Sequence, residues 1–330
     1  MSRGSSVAYR LRPNKAVDRE LFLSLLSRLS AKLRLENYVY VGLGGPFLED
    51  FRLIHARIGI DKMVCVESEQ AVHLRQSFNR PIESIQCVHA KLEEFLEATE
   101  FEAPIVLWLD FTEPKTVVSQ IETFARQTCE LPLFSVVRIT LNANPTSLGK
   151  PLAVQTAVAL PGEEGKAGGN ETELEWRLTK FKERLGGSTP NGLTPDAMTH
   201  RNFGSSLLEA LRLCSEREIL DHPERKLVWA LATHYSDGQA MITATAVVVP
   251  DGDREVQSIV ESWPYFSTPM EPLRLDVPAL STIERLTMES TANPKGRMGY
   301  ELPVSDMGED PFEAFRRFYR VYPHFARVDL

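Results

Sequence analysis

Tyr38-Val-Tyr-Val-Gly-Leu-Gly-Gly45 is a short apolar run that closes on three glycines. Phe47 to Ile58 follows with helical periodicity, and Met63-Val-Cys-Val-Glu67 is a second apolar run that ends on an acid. Strand, glycine turn, helix, strand, acid is the layout of a nucleotide-type pocket at the edge of a parallel sheet. Glycines in such a turn let the backbone approach a ligand closely, and the acid accepts hydrogen bonds from ribose hydroxyls. Plainer readings stand beside these. The glycines also permit tight helix–strand packing, and Glu67, next to Ser68 and Glu69, also suits a solvated strand end. The carboxyl edge of an open α/β sheet is where ligands bind, which favours the pocket.

Outward from this unit the elements alternate. Strands are predicted at 38–42, 63–67, 85–89, 104–110 and 134–141, with helices at 47–58, 69–78, 91–98 and 115–129 between them. Five strands alternating with four helices give a parallel sheet with helices on both faces. Ahead of it, Leu21, Phe22, Leu25, Leu26, Leu29 and Leu33 mark one apolar face of a helix over Val17 to Leu35. Asp18 and Glu20 sit near its start, where negative charge suits the helix dipole.

Residues 149–170 read as a flexible glycine-rich loop, followed by helices at 171–185 and 203–218. Lys226 to Tyr235, the turn Ser236-Asp-Gly238 and Gln239 to Val249 read as an antiparallel hairpin. Further helices are expected near 278–289 and 311–321. The domain reading is a helical lead-in over 1–36, an α/β domain over 37–250 with 150–224 inserted over its ligand edge, and a C-terminal extension over 251–330 packed on the core.

Composition narrows the class. Hydrophobic residues at 43% and charged residues at 25% over 330 positions suit a soluble globular chain. The net charge of −8 disfavours a nucleic-acid partner without excluding a local basic rim. No apolar run approaches the ~18 residues of a membrane span, and the opening lacks the apolar core of a signal peptide. Cys65, Cys87, Cys129 and Cys214 are scattered and read as reduced thiols of a cytoplasmic protein. The seven histidines form no HxxxH or HExxH pattern, so no metal site is expected.

The glycine turn, Glu67 and the hairpin around Asp237-Gly238 together resemble the class I S-adenosylmethionine-dependent methyltransferases over about 38–250. The resemblance implies a Rossmann-like sheet of about seven strands, mostly parallel, with a terminal antiparallel hairpin. It implies S-adenosylmethionine as cofactor, with Gly42, Gly44 and Gly45 along its methionine and ribose portions. Glu67 would take the ribose hydroxyls, His89 and Ala90 would flank the adenine, and Asp110 would be catalytic beside the transferred methyl. The chain departs from the family in reading Val41 before Gly42, Gly-Leu-Gly-Gly-Pro at the turn, and His89-Ala90 where an acid is usual. Asp110-Phe-Thr-Glu-Pro114 is not the motif of amino methyltransferases, so amino methylation of DNA is disfavoured. Tyr9-Arg-Leu-Arg-Pro-Asn-Lys15 followed by Arg19 is similar to the opening of bacterial proteins assigned as O-methyltransferases, which implies an O-directed transfer to an unidentified acceptor in a bacterial cytoplasm. The other functional reading is a protein of this fold that binds a ligand or a protein partner without methylating, in a bacterial defence system.

Several residues carry two readings. Asp110 is a site acid or the cap of the helix near Pro114, and Glu113 is an ordinary first-turn acid. Asn142 and Asn144 suit a turn better than a hard-cation site. Arg10, Arg12, Lys15 and Arg19 read as a solvated helix entry, with reach to an anionic ligand as the alternative. Phe312, Phe315, Phe318, Tyr319 and Tyr322 fit one packed helix face better than a nucleic-acid surface, and His234-Tyr235 is expected to face solvent at the hairpin tip, with reach to the active-site rim as the alternative.

Overall fold

The computed structural model of the chain describes residues 12–151, 172–304 and 308–322. Most of the glycine-rich stretch 149–170, and Tyr9 and Arg10 of the basic opening, lie outside these residues. One sheet runs in the order β3-β2-β1-β4-β5-β7-β6-β8. Its strands are β1 Val39–Gly42, β2 Lys62–Glu67, β3 Ile85–His89, β4 Ile105–Asp110, β5 Val136–Asn142, β6 Arg225–Ser236, β7 Ala240–Pro250 and β8 Leu273–Leu275. Pairing is parallel from β3 through β5, and β7 alone is antiparallel to both of its neighbours. The seven-stranded sheet with its hairpin is therefore present, with β8 added beside β6 through three residues. So short a strand, broken by Arg274, carries no alternation long enough to read.

The central strands are buried on both faces, which is why β4 and β5 read as continuous apolar runs. One face carries α1 Pro13–Leu33, α2 Glu49–Ile58 and α3 Gln70–Asn79. Its core joins Leu21, Phe22 and Leu25 of α1 to Tyr40, Phe51, Cys65, Val106 and Trp108. The other face carries α4 Leu92–Glu97, α5 Val117–Glu130, α6 Glu173–Leu185 and α7 Phe203–Ile219. Ile121, Phe124, Phe181, Phe203 and Leu207 pack there on Leu107, Leu109 and Ile139. Of the stretch expected over the ligand edge, α7 lies on the face of the sheet, against α5, β6 and β7. The C-terminal stretch holds α8 Glu255–Glu261, α9 Thr282–Ser290, α10 Pro294–Met298 and α11 Pro311–Phe318. Phe312, Phe315, Phe318 and Tyr322 are buried there, as a packed face requires, whereas Tyr319 of the same set is exposed.

The helix α1 departs from expectation in two respects. It begins at Pro13, four residues before Val17, because proline is preorganised for a first helical position. Asp18 does not serve the helix dipole. It is buried and pairs with Arg138 of β5 at 2.6 Å. Arg138 also donates to the hydroxyls of Thr245 (2.8 Å) and Thr243 (3.1 Å). Asp18 accepts from Thr233 (2.8 Å) and Thr243 (3.0 Å). The Arg138 guanidinium lies over the rings of Phe22 and Trp108, at 4.6 and 4.8 Å.

His234 and Tyr235 do not face solvent, being 2% and 1% exposed. The hairpin is long and its tip folds under the start of α1, where Asn14 donates to Ser236 O and to Asp237. The His234 ring lies against Gly204 of α7, where an added Cβ would come within 2.7 Å of Nε2. Burial, with the charge of Arg274 beside it, pulls the His234 pKa down to about 4.

Two measurements check this packing. Asp18→Ala leaves the Arg138 cation buried without its counter-charge, and urea unfolding should show a loss of roughly 3–5 kcal/mol. His234 stays neutral when folded and titrates near its ordinary value of 6.5 when unfolded, so the unfolded chain binds the extra proton as pH falls. Its contribution is complete above pH 6.5 and is lost on the way down to about 4. Unfolding at about pH 7.5 and about pH 5 should differ by about 2 kcal/mol more in the parent than in His234→Gln.

Candidate functional site

The carboxyl ends of β1 to β4 bring the predicted residues to one edge. Gly42 closes β1, and its register partners are Cys65 on β2 and Trp108 on β4. Glu67 and Asp110 each lie two residues further along, on the same face and at the same height. With β1 between them they stand about 10 Å apart, twice the strand spacing. His89 is the register partner of Glu67, and Ala90 N–H donates to Glu67 O at 3.1 Å. Gly42, Gly44, Gly45, Glu67, His89, Ala90 and Asp110 thus share this edge.

The glycine turn is held tightly. A Cβ on Gly44 would collide with Leu48 and stand 3.0 Å from Cys65 Sγ and 3.1 Å from the Phe51 ring. A Cβ on Gly42 would lie 2.8 Å from Tyr40 Oη. From α3, the buried Gln76 amide donates to Gly44 O, and Asn79 donates to Pro46 O at 2.8 Å. The Glu67 carboxylate is fixed through Oε1, which accepts from Glu69 N–H at 2.8 Å. His89 stacks on His73 with ring centroids 5.4 Å apart, and its Nε2 lies 3.1 Å from Ser68 O.

Asp110 is not a helix cap. Glu113 fills that role, accepting from Lys115 N–H at 3.1 Å. Asp110 instead faces the start of α1, where Lys15 Nζ reaches its Oδ2 at 3.4 Å. Its Oδ1 is buried without a hydrogen bond among the described residues, and so is the hydroxyl of Tyr235 nearby. Burial raises the pKa of Tyr235 and of Tyr40, and the Asp110 charge adds to both. Two neutral phenols therefore wall the acid.

The basic opening is not a solvated helix entry where it is described. Lys15 and Arg19 are buried. Arg19 pairs with Asp50 and with Glu49 of α2. Burial opposes its charge, but Asp50, Glu49 and Asp110 outweigh that and hold its pKa above the ordinary value. Tyr40 and Gln76 carry no site signal of their own in the sequence, whereas Lys15 has reach to an anionic ligand and Tyr235 reach to the site rim as alternative readings. Lys15 and Arg19, one helical turn apart and both facing the apolar side of α1, were the legible hint.

Asn142 and Asn144 serve the turn after β5. Asn142 accepts from Asn144 N–H, and Asn144 accepts from Thr146 N–H, both at 3.0 Å. Two cavities of about 300 Å³ lie elsewhere, one beside Asp196 and Glu209 and one beside Arg184 and Arg217. Neither is lined by a predicted site residue.

No curated protein matches the chain in sequence. Among solved structures, an O-methyltransferase from Bacillus cereus in complex with SAH is 12% identical. It aligns over 74% of this chain and 83% of its own, with a TM-score of 0.35. The plantazolicin methyltransferase BamL, in complex with a triazolic desmethylPZN analog and SAH, is 13% identical. It aligns over 72% of this chain and 87% of its own, with a TM-score of 0.36. The family model described as "Putative O-methyltransferase" matches residues 7–330, and the chain belongs to that family.

Proposed function

We propose that the chain is an S-adenosylmethionine-dependent methyltransferase that methylates an oxygen of its acceptor. The observation that carries this is the edge itself. A glycine turn with no room for a side chain lies between a fixed carboxylate on one neighbouring strand and a walled acid on the other. The donors suit the cofactor: backbone at Gly42–Gly45 for its methionine and ribose portions, Glu67 for two ribose hydroxyls, and His89 with Ala90 beside the adenine. When bound, S-adenosylmethionine supplies an electrophilic methyl group.

The protein's own residues then have to align the acceptor and exclude water. Lys15 holds one oxygen of Asp110 in an ion pair. The other oxygen is left to accept the hydrogen bond of an acceptor hydroxyl and to receive its proton as the oxygen bonds to carbon. Tyr40, Tyr235 and the start of α1 close the space around it. A hydroxyl acceptor fits a single carboxylate with one oxygen that has no hydrogen-bond donor among the described residues.

Calorimetric titration with S-adenosylhomocysteine tests the reading. The parent protein should bind, and Glu67→Ala should weaken binding about tenfold or more, because two hydrogen bonds to a charged acceptor are lost. Asp110→Asn, altered only at the transfer end, should bind within about twofold of the parent, a difference of less than 0.5 kcal/mol. A folded parent that does not bind would overturn the proposal and leave ligand or partner binding without methyl transfer.

A further inference from the structure

We propose that Cys65 and Cys87 form a dithiol modification site, oxidised by a peroxide to a disulfide that deforms the glycine turn. The two residues are far apart in sequence but are direct register partners on the parallel strands β2 and β3. Both side chains lie on the α1 face of the sheet, Cys65 inside its core and Cys87 packed against it. Neighbouring strands run about 4.8 Å apart, inside the ~4.4–6.8 Å between Cα atoms that a disulfide spans. The two positions are therefore paired by topology.

They differ in the way such a pair requires. Cys87 is half-buried at the margin of the sheet, whereas Cys65 is fully buried. Contact with the Cys65 thiol, the Ser77 hydroxyl and the Arg80 guanidinium lowers the Cys87 pKa against the opposing effect of burial. Cys129 and Cys214 are buried, and burial raises both. Thiolate character and access select the cysteine that reacts first.

The step balances. The Cys87 thiolate attacks the O–O bond of hydrogen peroxide, forming a sulfenic acid and releasing hydroxide. The Cys65 sulfur then attacks the sulfenic sulfur, the S–S bond forms, and the second oxygen leaves as water. Two thiols lose two electrons and two protons, and one peroxide becomes two waters.

The consequence lies directly above Cys65. Its sulfur is the atom 3.0 Å from where a Gly44 Cβ would stand, so it is part of the floor of the turn. The Cβ atoms of parallel neighbours sit near the strand spacing, and a disulfide prefers ~3.5–4.5 Å. Closing the bond must therefore draw Cys65 toward β3. The turn is tied to α3 through Gln76 and Asn79, while Ser77 and Arg80 of the same helical segment flank Cys87. Floor and clamp move together.

The effect on ligand binding rests on the function proposed above, so the test carries readouts that do not. Full-length protein, reduced and desalted, is treated with one equivalent of hydrogen peroxide and mapped by non-reducing peptide mass spectrometry. The peptides holding Cys65 and Cys87 should be joined with the loss of two hydrogens. Hydrogen exchange over residues 42–48 should rise. Affinity for S-adenosylhomocysteine should fall about tenfold, the scale of one misplaced hydrogen bond to a charged or fixed partner, and dithiothreitol should restore it. Cys87→Ser should bind as the reduced parent does and ignore peroxide. Linkage through Cys129 or Cys214, no linkage, or a linked protein with unchanged exchange at 42–48 would overturn the proposal. A reduced parent that does not bind overturns the functional reading alone, since linkage and exchange still decide this one.

Discussion

The buried ion pair between Asp18 and Arg138 is the constraint on which the site depends. A charge inside a sheet–helix interface costs several kcal/mol unless it is paired and hydrogen-bonded. Here one carboxylate and one guanidinium share Thr233, Thr243 and Thr245 as partners, and of the nitrogen and oxygen atoms of the pair Arg138 Nε alone has no partner among the described residues. Apolar packing along Leu21, Leu25 and Leu29 is tolerant of small slides, because dispersion is not directional. A charge pair reached by three hydroxyls from two different strands is not tolerant. It fixes how far α1 runs along the sheet.

That position sets the chemistry at the edge. Lys15 lies three residues before Asp18 and Arg19 one residue after it. Once Asp18 is fixed under the sheet centre, Lys15 falls at the end of β4, where Asp110 is, and Arg19 falls against Asp50 and Glu49 at the start of α2. The hairpin tip is pinned by the same helix start, since Lys15 N–H donates to Asp237 at 2.8 Å. Fold and sheet edge are coupled: the start of the helix ahead of the first strand contacts both Asp110 at the end of β4 and Asp237 at the hairpin tip.

The sequence showed the sheet because its rules are local. Apolar runs such as Ile105–Leu109 and the Asp237-Gly238 turn announce strands and a hairpin without knowledge of the rest. The placement of Gly42, Glu67 and Asp110 at one sheet edge was legible for the same reason, each being an end of a recognisable strand. What was not legible depends on contacts between distant segments. Asp18 reads as a dipole charge until Arg138 is known to lie opposite. Tyr235 reads as a hairpin tip until α1 covers it. Lys15 and Arg19 look solvated because long basic side chains usually are, and carboxylates brought from β4 and α2 offset the cost of burying them. Cys65 and Cys87 read as scattered thiols because parallel register across two strands cannot be counted along one chain.

The two halves of the edge are built by different physics. On the β4 side, charges are locked in pairs: Lys15 with Asp110, Arg19 with Asp50 and Glu49, Arg138 with Asp18. Moving one group there unpairs another, so that half is stiff. On the β2 and β3 side, the turn is held by neutral amide donors from α3 and by a packed sulfur, while His89 and Glu69 are exposed. Each such bond contributes about 1 kcal/mol net, so local displacement costs little against the whole fold. The edge therefore concentrates its charge pairs at the Asp110 end and leaves the glycine turn, held by Gln76 and Asn79, as the more compliant part.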